Sequence, residues 1–335
     1  MTDSSGTHRP HGKILLAALL TGSVMTSGPA AAETLQEALV KAYQNNPTLT
    51  GARAGQRAND ENVPIQRSYG LPDVGVSANY NDNIFQSSSS SLGQPQRSLS
   101  ANGQLSVPIY QGGAVRNSVK AAKLRVDAGQ ANLRATEASI FSQVVGAYMD
   151  VIRDQAIVQL SRNNVDVLRT NLEASSDRFE IGDLTRTDVA QSEARLALAE
   201  GELRGNEAQL IASREAYARL VGSPPQDLQP PPPLPNMPAS VDEAVDVALN
   251  NNPDIASAAL NIEASRADIS TARAARLPKI AATISGSYTN YLNSLESNVP
   301  SVTLDQQNSS AVAGVSLNLP LFTAGRNSAQ VRQAQ

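Results

Sequence analysis

From Ala114 to Val221 the chain contains no proline, and its apolar residues fall into two lines seven apart. The first line is Val144, Val151, Val158, Val165, Leu172 and Phe179; the second is Val189, Leu196, Leu203, Leu210 and Tyr217. A seven-residue repeat held over many turns specifies long helices packed as a coiled coil. The spacing predicts an antiparallel hairpin over about 114–221, turning at Gly182 within Glu180–Asp188. Its first helix, Ala114 to Glu180, reaches ~100 Å at ~1.5 Å per residue. A compact domain has no use for such a rod; a structure that crosses a gap does. Beside the apolar lines run Ala147, Asp154, Ser161, Leu168 and Ser175 on the first helix, and Ser192, Ala199, Asn206, Ser213 and Leu220 on the second. Six of these ten are polar. Two arrangements fit: a solvated hairpin with one narrow seam, or a helix pair set in a curved wall of helices.

Residues 1–32 read as a signal peptide. His8, Arg9, His11 and Lys13 form a basic start, Ile14 to Met25 is apolar, and Ala30-Ala31-Ala32 has the small-x-small cleavage pattern. The apolar run is too short for a spanning helix, which takes about 20 residues. Both histidines lie in that signal, and the chain has no cysteine. The exported chain therefore lacks the parts of Ser-His-Asp, Cys-His and common zinc sites. No P-loop, GxGxxG or GxSxG is present either. No catalytic residue, metal ligand or cofactor is expected, and an enzyme is not. A formal charge of −4 with no basic stripe argues against nucleic acid.

The chain repeats itself. Thr34 to Asn46, then Pro47, matches Ser240 to Asn252, then Pro253: Glu37 aligns with Glu243, Ala38 with Ala244, Ala42 with Ala248 and Asn45 with Asn251. Leu71-Pro72 matches Leu277-Pro278, and LSVPIY ending at Tyr110 matches LNLPLF ending at Phe322. Gly113 aligns with Gly325. Anchors in register define an internal repeat. Unit 1 covers 33–222, a Pro-rich linker 223–239, and unit 2 240–335. After Gly325 only Arg326–Gln335 remain, so unit 2 is expected to lack roughly 100 C-terminal residues. Each unit opens with a capped helix broken by Asn-Asn-Pro, and Pro64 is expected to kink the second helix of unit 1.

After each Leu-Pro the period becomes two. Strand pairs are expected at about 74–86 and 97–110, and at about 280–292 and 310–322. Val74, Val76, Ala78 and Tyr80 alternate with Gly75, Ser77, Asn79 and Asn81, and the other strands follow suit. One face is apolar; the other is small, polar and uncharged. A soluble hairpin gives the same alternation, but in an exported chain a face of Ser and Asn points to transmembrane β-strands. Four strands cannot close a barrel, and open edges are not tolerated in lipid. Several chains must then share one.

These residues resemble the TolC-like outer-membrane efflux protein family. The resemblance rests on the repeated openings, on LSVPIYQGG with Pro108, Tyr110 and Gly113, on LNLPLFTAG with Pro320, Phe322 and Gly325, and on the turn Arg178 to Val189. It implies a mixed α and transmembrane β fold: a homotrimer whose strand pairs form a 12-stranded barrel, continued by a helical tunnel. It implies a passive duct for protein or small-molecule cargo, in outer-membrane lipid. Its partners would be a periplasmic adaptor, or membrane fusion protein, and an inner-membrane ABC, RND or MFS transporter. By the same resemblance Ile181, Gly182, Leu184 and Thr187 belong to the adaptor-docking tip, and Asp188 to a gate pairing between hairpins. The missing cysteine places the chain nearer the non-lipidated branch, which also serves type I protein secretion. A structural periplasmic coiled coil or an adaptor-like protein without a channel is the alternative.

Overall fold

The structure is a computed structural model that describes residues 32–85, 95–233, 237–295 and 303–335. The expected signal peptide, save Ala32, lies outside the described residues. Element order is α1 (Leu35–Asn45), α2 (Pro47–Asp60), α3 (Asn62–Ser68), β1 (Asp73–Asp82), β2 (Arg97–Tyr110), α4 (Ala114–Glu180), α5 (Arg186–Val221), α6 (Val241–Asn251), α7 (Pro253–Ala274), β3 (Lys279–Asn290), β4 (Gln307–Asn318) and α8 (Arg326–Ala334).

Local chemistry sets most boundaries. Thr34 caps α1 in a full capping box with Glu37, and Ser240 accepts from the Glu243 N–H at α6. Asn46 and Asn252 each end one helix and cap the next, their side chains accepting the N–H two residues on, at Thr48 and Asp254, with proline at the first helical position. The Asn46 amide also donates to the Leu220 carbonyl at 3.0 Å, pinning α2 to the end of α5. Gly113 and Gly325 enter α4 and α8 at φ 80° and 82°, a conformation glycine adopts without penalty. The break expected at Pro64 comes earlier. α2 stops at Asp60, whose carbonyl the Pro64 ring would strike, and Pro64 sits in the first turn of α3, where no N–H is needed.

α4 has 67 residues and touches most other helices. Near its start, Gln56 and Asn59 of α2 donate to the carbonyls of Val126 and Arg125, and Arg125 pairs with Asp268 of α7. Midway, α1, α5 and the strap after α5 enclose the core: Ala38, Ala42, Leu49, Ile140, Val144, Ala147, Tyr148, Val151, Tyr217, Val221 and Leu228. Beyond it α4 and α5 run as a two-helix hairpin.

The half-polar lines are part of that hairpin's seam. Asp154 meets Ser213, Ser161 meets Asn206 at 2.8 Å, and Ser175 meets Ser192 at 3.4 Å. The residue numbers step by seven and then by fourteen, in opposite directions along the two helices. Outside these rungs, Arg162 pairs with Glu207 at 2.8 Å and Arg169 with Glu200 at 3.5 Å. Val167, Leu160, Leu198 and Ile211 stay exposed, so among the described residues the hairpin buries only one side.

Asp154 is 3% exposed, and hydrogen bonds from Arg153 and then Ser213 hold its carboxyl below the usual carboxylate range. A carboxyl lowered on folding stabilises the fold above its unfolded pKa, near 4. That contribution is lost as pH falls towards the depressed value. Thermal unfolding followed by helical circular dichroism is expected to show a steeper loss of stability below about pH 4 for the native chain than for Asp154→Asn. At neutral pH the variant is expected to lose about 1 kcal/mol, because the Arg153 partner is half exposed. Parallel pH profiles would contradict this.

The strands form one antiparallel sheet in the order β1-β2-β3-β4. Four ends differ from expectation. β1 stops at Asp82, short of the expected 86, and Phe85 is the last described residue there. β3 ends at Asn290 because Leu292 and Asn293 take φ 55°. β4 runs 307–318, not 310–322: Gln307 pairs with Asn290 at one end, and at the other Pro320 has no N–H for the ladder. Pro320 and Phe322 therefore lie beyond the strand.

Candidate membrane sheet and helical tip

Register decides whether the apolar lines of the four strands fall on one face. They do. Val74 lies opposite Leu105, Leu105 opposite Ile284, and Ile284 opposite Ala313. One step along, Gly75, Gln104, Ser285 and Val312 share the other face; two steps along from Ile284, Val107, Ala282 and Val315 return to the first. Val74, Val76, Ile284, Val315 and Leu317 are all exposed, so the apolar face has no cover among the described residues. The charged residues of the strands are Asp73, Asp82, Arg97 and Lys279, each the terminal residue of its strand. The interior of the sheet is uncharged on both faces. Strands of 10 to 14 residues match the ~9–11 a tilted strand needs to cross hydrocarbon. The outer edges of β1 and β4 have no partner strand among the described residues. No described helix is long and apolar enough to cross a membrane.

At the helical end of the sheet the strand-end residues lie at strand-to-helix turns. The β2–β3 register shifts between Pro108 and Tyr110, since Pro108 offers no N–H. Tyr110 ends β2 and Gly113 opens α4; in the second stretch Phe322 is exposed and Gly325 opens α8.

The other pole is the α4–α5 turn. Gly182 takes φ 83°, and its N–H and that of Asp183 donate to the carbonyls of Phe179 and Arg178. These bonds close α4 with a left-handed cap. Arg178 and Asp183 clamp the turn at 3.1 Å, a contact that the heptad pattern does not signal. Ile181 is 80% exposed, Thr187 is exposed and Leu184 half-buried. The first cap of α5 is Thr185, three residues before Asp188. Asp188 completes its capping box, accepting from the Thr185 N–H at 3.0 Å and hydroxyl at 2.7 Å. The hydroxyl bond, then the amide bond, holds the Asp188 carboxyl below its usual range.

Composition gives no sign of the third cluster, at the middle of the rod. Glu33, Tyr148 and Tyr217 are buried there beside the strap, and their partners come from positions far apart in sequence.

The family model described as "Outer membrane efflux protein" matches residues 38–223 and 244–335. The chain is 34% identical over 323 residues to the outer membrane efflux protein BepC of Brucella suis, covering 96% of this chain and 68% of that protein. It is 31% identical over 208 residues to the alkaline protease secretion protein AprF of Pseudomonas aeruginosa, covering 60% of this chain and 42% of AprF. The fold matches the Campylobacter jejuni CmeC outer membrane channel with a TM-score of 0.69 at 18% identity, over 99% of this chain and 73% of CmeC. Since the matched residues take in both helix–strand–strand stretches and the whole long hairpin, the chain belongs to the outer-membrane efflux protein family.

Proposed function

We propose that this outer-membrane protein is one protomer of an exit duct in which three copies close a 12-stranded barrel and their helices continue as a tunnel into the periplasm. The observation that carries this reading is the sheet. It is two-faced and uncharged inside, has no strand on either outer edge among the described residues, and is borne on a rod of ~100 Å. In hydrocarbon every backbone group needs a partner, so the edges of β1 and β4 must be met by other copies. Three sheets of four give twelve strands, an even number of the kind seen in such barrels. The two αL glycines and the two Asn caps, equal in conformation and place, support a duplicated unit. The apolar face takes outer-membrane lipid and the Ser/Asn face lines the lumen.

The tip is the surface offered to a periplasmic adaptor, itself coupled to an inner-membrane ABC, RND or MFS transporter. Exposed Ile181, beside a turn fixed by Gly182 and the Arg178–Asp183 clamp, with Leu184 and Thr187 next to it, suits docking of another helical hairpin. Asp188 already serves its own cap, so a gate contact there would compete with Thr185. OpmQ of Pseudomonas putida is named for pyoverdine export and AprF for protease secretion, which supports small molecules and proteins alike as cargo classes for this duct.

The test is semi-native electrophoresis of detergent-extracted outer membranes, with and without heating, followed by planar-bilayer conductance. A heat-sensitive trimer that conducts is the expected result. A soluble periplasmic monomer would overturn the duct and favour a structural coiled coil.

A further inference from the structure

Glu33 is the residue that cleavage after Ala32 would place first. It is 3% exposed, while Ala32 before it is half-buried. Every polar group of Glu33 is engaged. Its carbonyl accepts from the Gln229 N–H at 3.1 Å and from the Tyr148 hydroxyl at 2.9 Å. Its carboxylate accepts from Lys41 Nζ at 2.7 Å and from the Gln226 N–H at 3.2 Å. It forms an isolated parallel bridge with Leu228, a core residue.

The nitrogen of Glu33 faces two acceptors from the strap. It lies 3.2 Å from the Gln226 carbonyl oxygen and 3.1 Å from that of Asp227. A peptide N–H has one hydrogen, yet two carbonyls converge on it. The chain holds Asp227 at φ 39° in doing so, in the left-handed region that residues with a Cβ seldom occupy. A peptide nitrogen gains little from the second carbonyl. An ammonium carries three hydrogens and uses both.

We propose that the strap Gln226–Gln229 forms a receptor for the free α-ammonium of Glu33, so that removal of the signal peptide completes the middle of the rod. Hydrolysis of the Ala32–Glu33 bond consumes one water. The hydroxyl joins the Ala32 carbonyl, which leaves as a carboxylate, and the Glu33 nitrogen takes up protons to become the ammonium. That ammonium then gives a separate hydrogen to each carbonyl, and charge-assisted bonds of this kind are roughly twice as strong as neutral ones. Maturation and fixing of the strap become one event. The proposal rests on the export signal and not on the duct.

N-terminal sequencing and intact mass of the membrane-purified protein, followed by acylation of its amines at neutral pH, test the proposal. Glu33 is expected to be the first residue, with its α-amine acylated roughly tenfold or more slowly in the folded protein than in denaturant. A variant with Ser-Gly inserted between Ala32 and Glu33 moves the amine into solvent. It is expected to be acylated at the denatured rate and to melt roughly 2–4 °C lower. A different first residue, equal acylation rates in the native chain, or an unchanged melting temperature in the extended variant would overturn the proposal. If the extended variant does not fold, the acylation rates of the native chain decide.

Discussion

Ile284→Arg is expected to remove the chain from the outer membrane, whereas Ser285→Arg, one residue on, leaves it there. Both residues sit in mid-β3, and Ile284 is exposed on the sheet's apolar face. In water, charging an exposed strand position changes stability by about 0.5 kcal/mol or less. Facing the hydrocarbon midplane, the same arginine costs roughly 2–4 kcal/mol. A closed assembly of identical chains incurs that penalty once per copy. On the lumen face, Ser285→Arg meets water; it is expected to alter conductance and ion preference while assembly persists. The measurement is the trimer recovered from outer-membrane fractions, together with single-channel conductance of whatever is recovered. Equal recovery of both variants would mean that the apolar face does not meet lipid, and the barrel would fall with it.

The second large effect is expected at the middle of the rod. Tyr148 is fully buried, its ring 6.3 Å from that of Tyr217, its hydroxyl bonded to the carbonyls of Glu33 and Gln229. Burial pushes both phenols above their ordinary pKa, so both stay neutral. Tyr148→Ala removes the ring and the bonds that tie α4 to strap and N-terminus, and is expected to cost about 3–5 kcal/mol. The phenylalanine variants separate ring from hydroxyl. Tyr148→Phe removes the hydroxyl's bonds to the Glu33 and Gln229 carbonyls, and since Glu33 keeps the Gln229 N–H it is expected to cost about 0.5–1.5 kcal/mol. The Tyr217 hydroxyl lies beside Glu33 yet makes no hydrogen bond of ordinary geometry, so Tyr217→Phe is expected to be near neutral. Denaturant melts of the three variants check the order. A Tyr217→Phe loss as large as that of Tyr148→Phe would refute it.

What the sequence reveals divides by distance along the chain. The bounds of α4, Ala114 to Glu180, follow from two αL glycine turns and an unbroken heptad line, all local signals. The two faces of each strand follow from period two. Alternation overshoots the end of β4 because it continues through Leu319 and Leu321 after Pro320 has ended the ladder. The pairing of β2 with β3 is not written in either strand, because a register between segments so far apart is set by the whole fold. The Glu33 cluster escapes for the same reason, its partners lying at 41, 148 and 226–229. The Asp154–Ser213, Ser161–Asn206 and Ser175–Ser192 rungs are an intermediate case. Both polar lines are visible in the sequence, and the turn at Gly182 fixes how they face one another.

The β2–β3 ladder also sets an order of events. Leu99 pairs with Asn290 only after the entire α4–α5 hairpin, the strap, α6 and α7 have been made. The hairpin's contacts are close in sequence and form fast; the ladder closes a very long loop and forms late. On that order the α4–α5 hairpin forms before the two strand pairs meet, and each pair is too small to be stable alone. The broad apolar face exists only once the halves meet. In the proposed duct, late closure keeps that adhesive surface unmade while the protein is still in water, and postpones it to the place where lipid and sister copies are at hand.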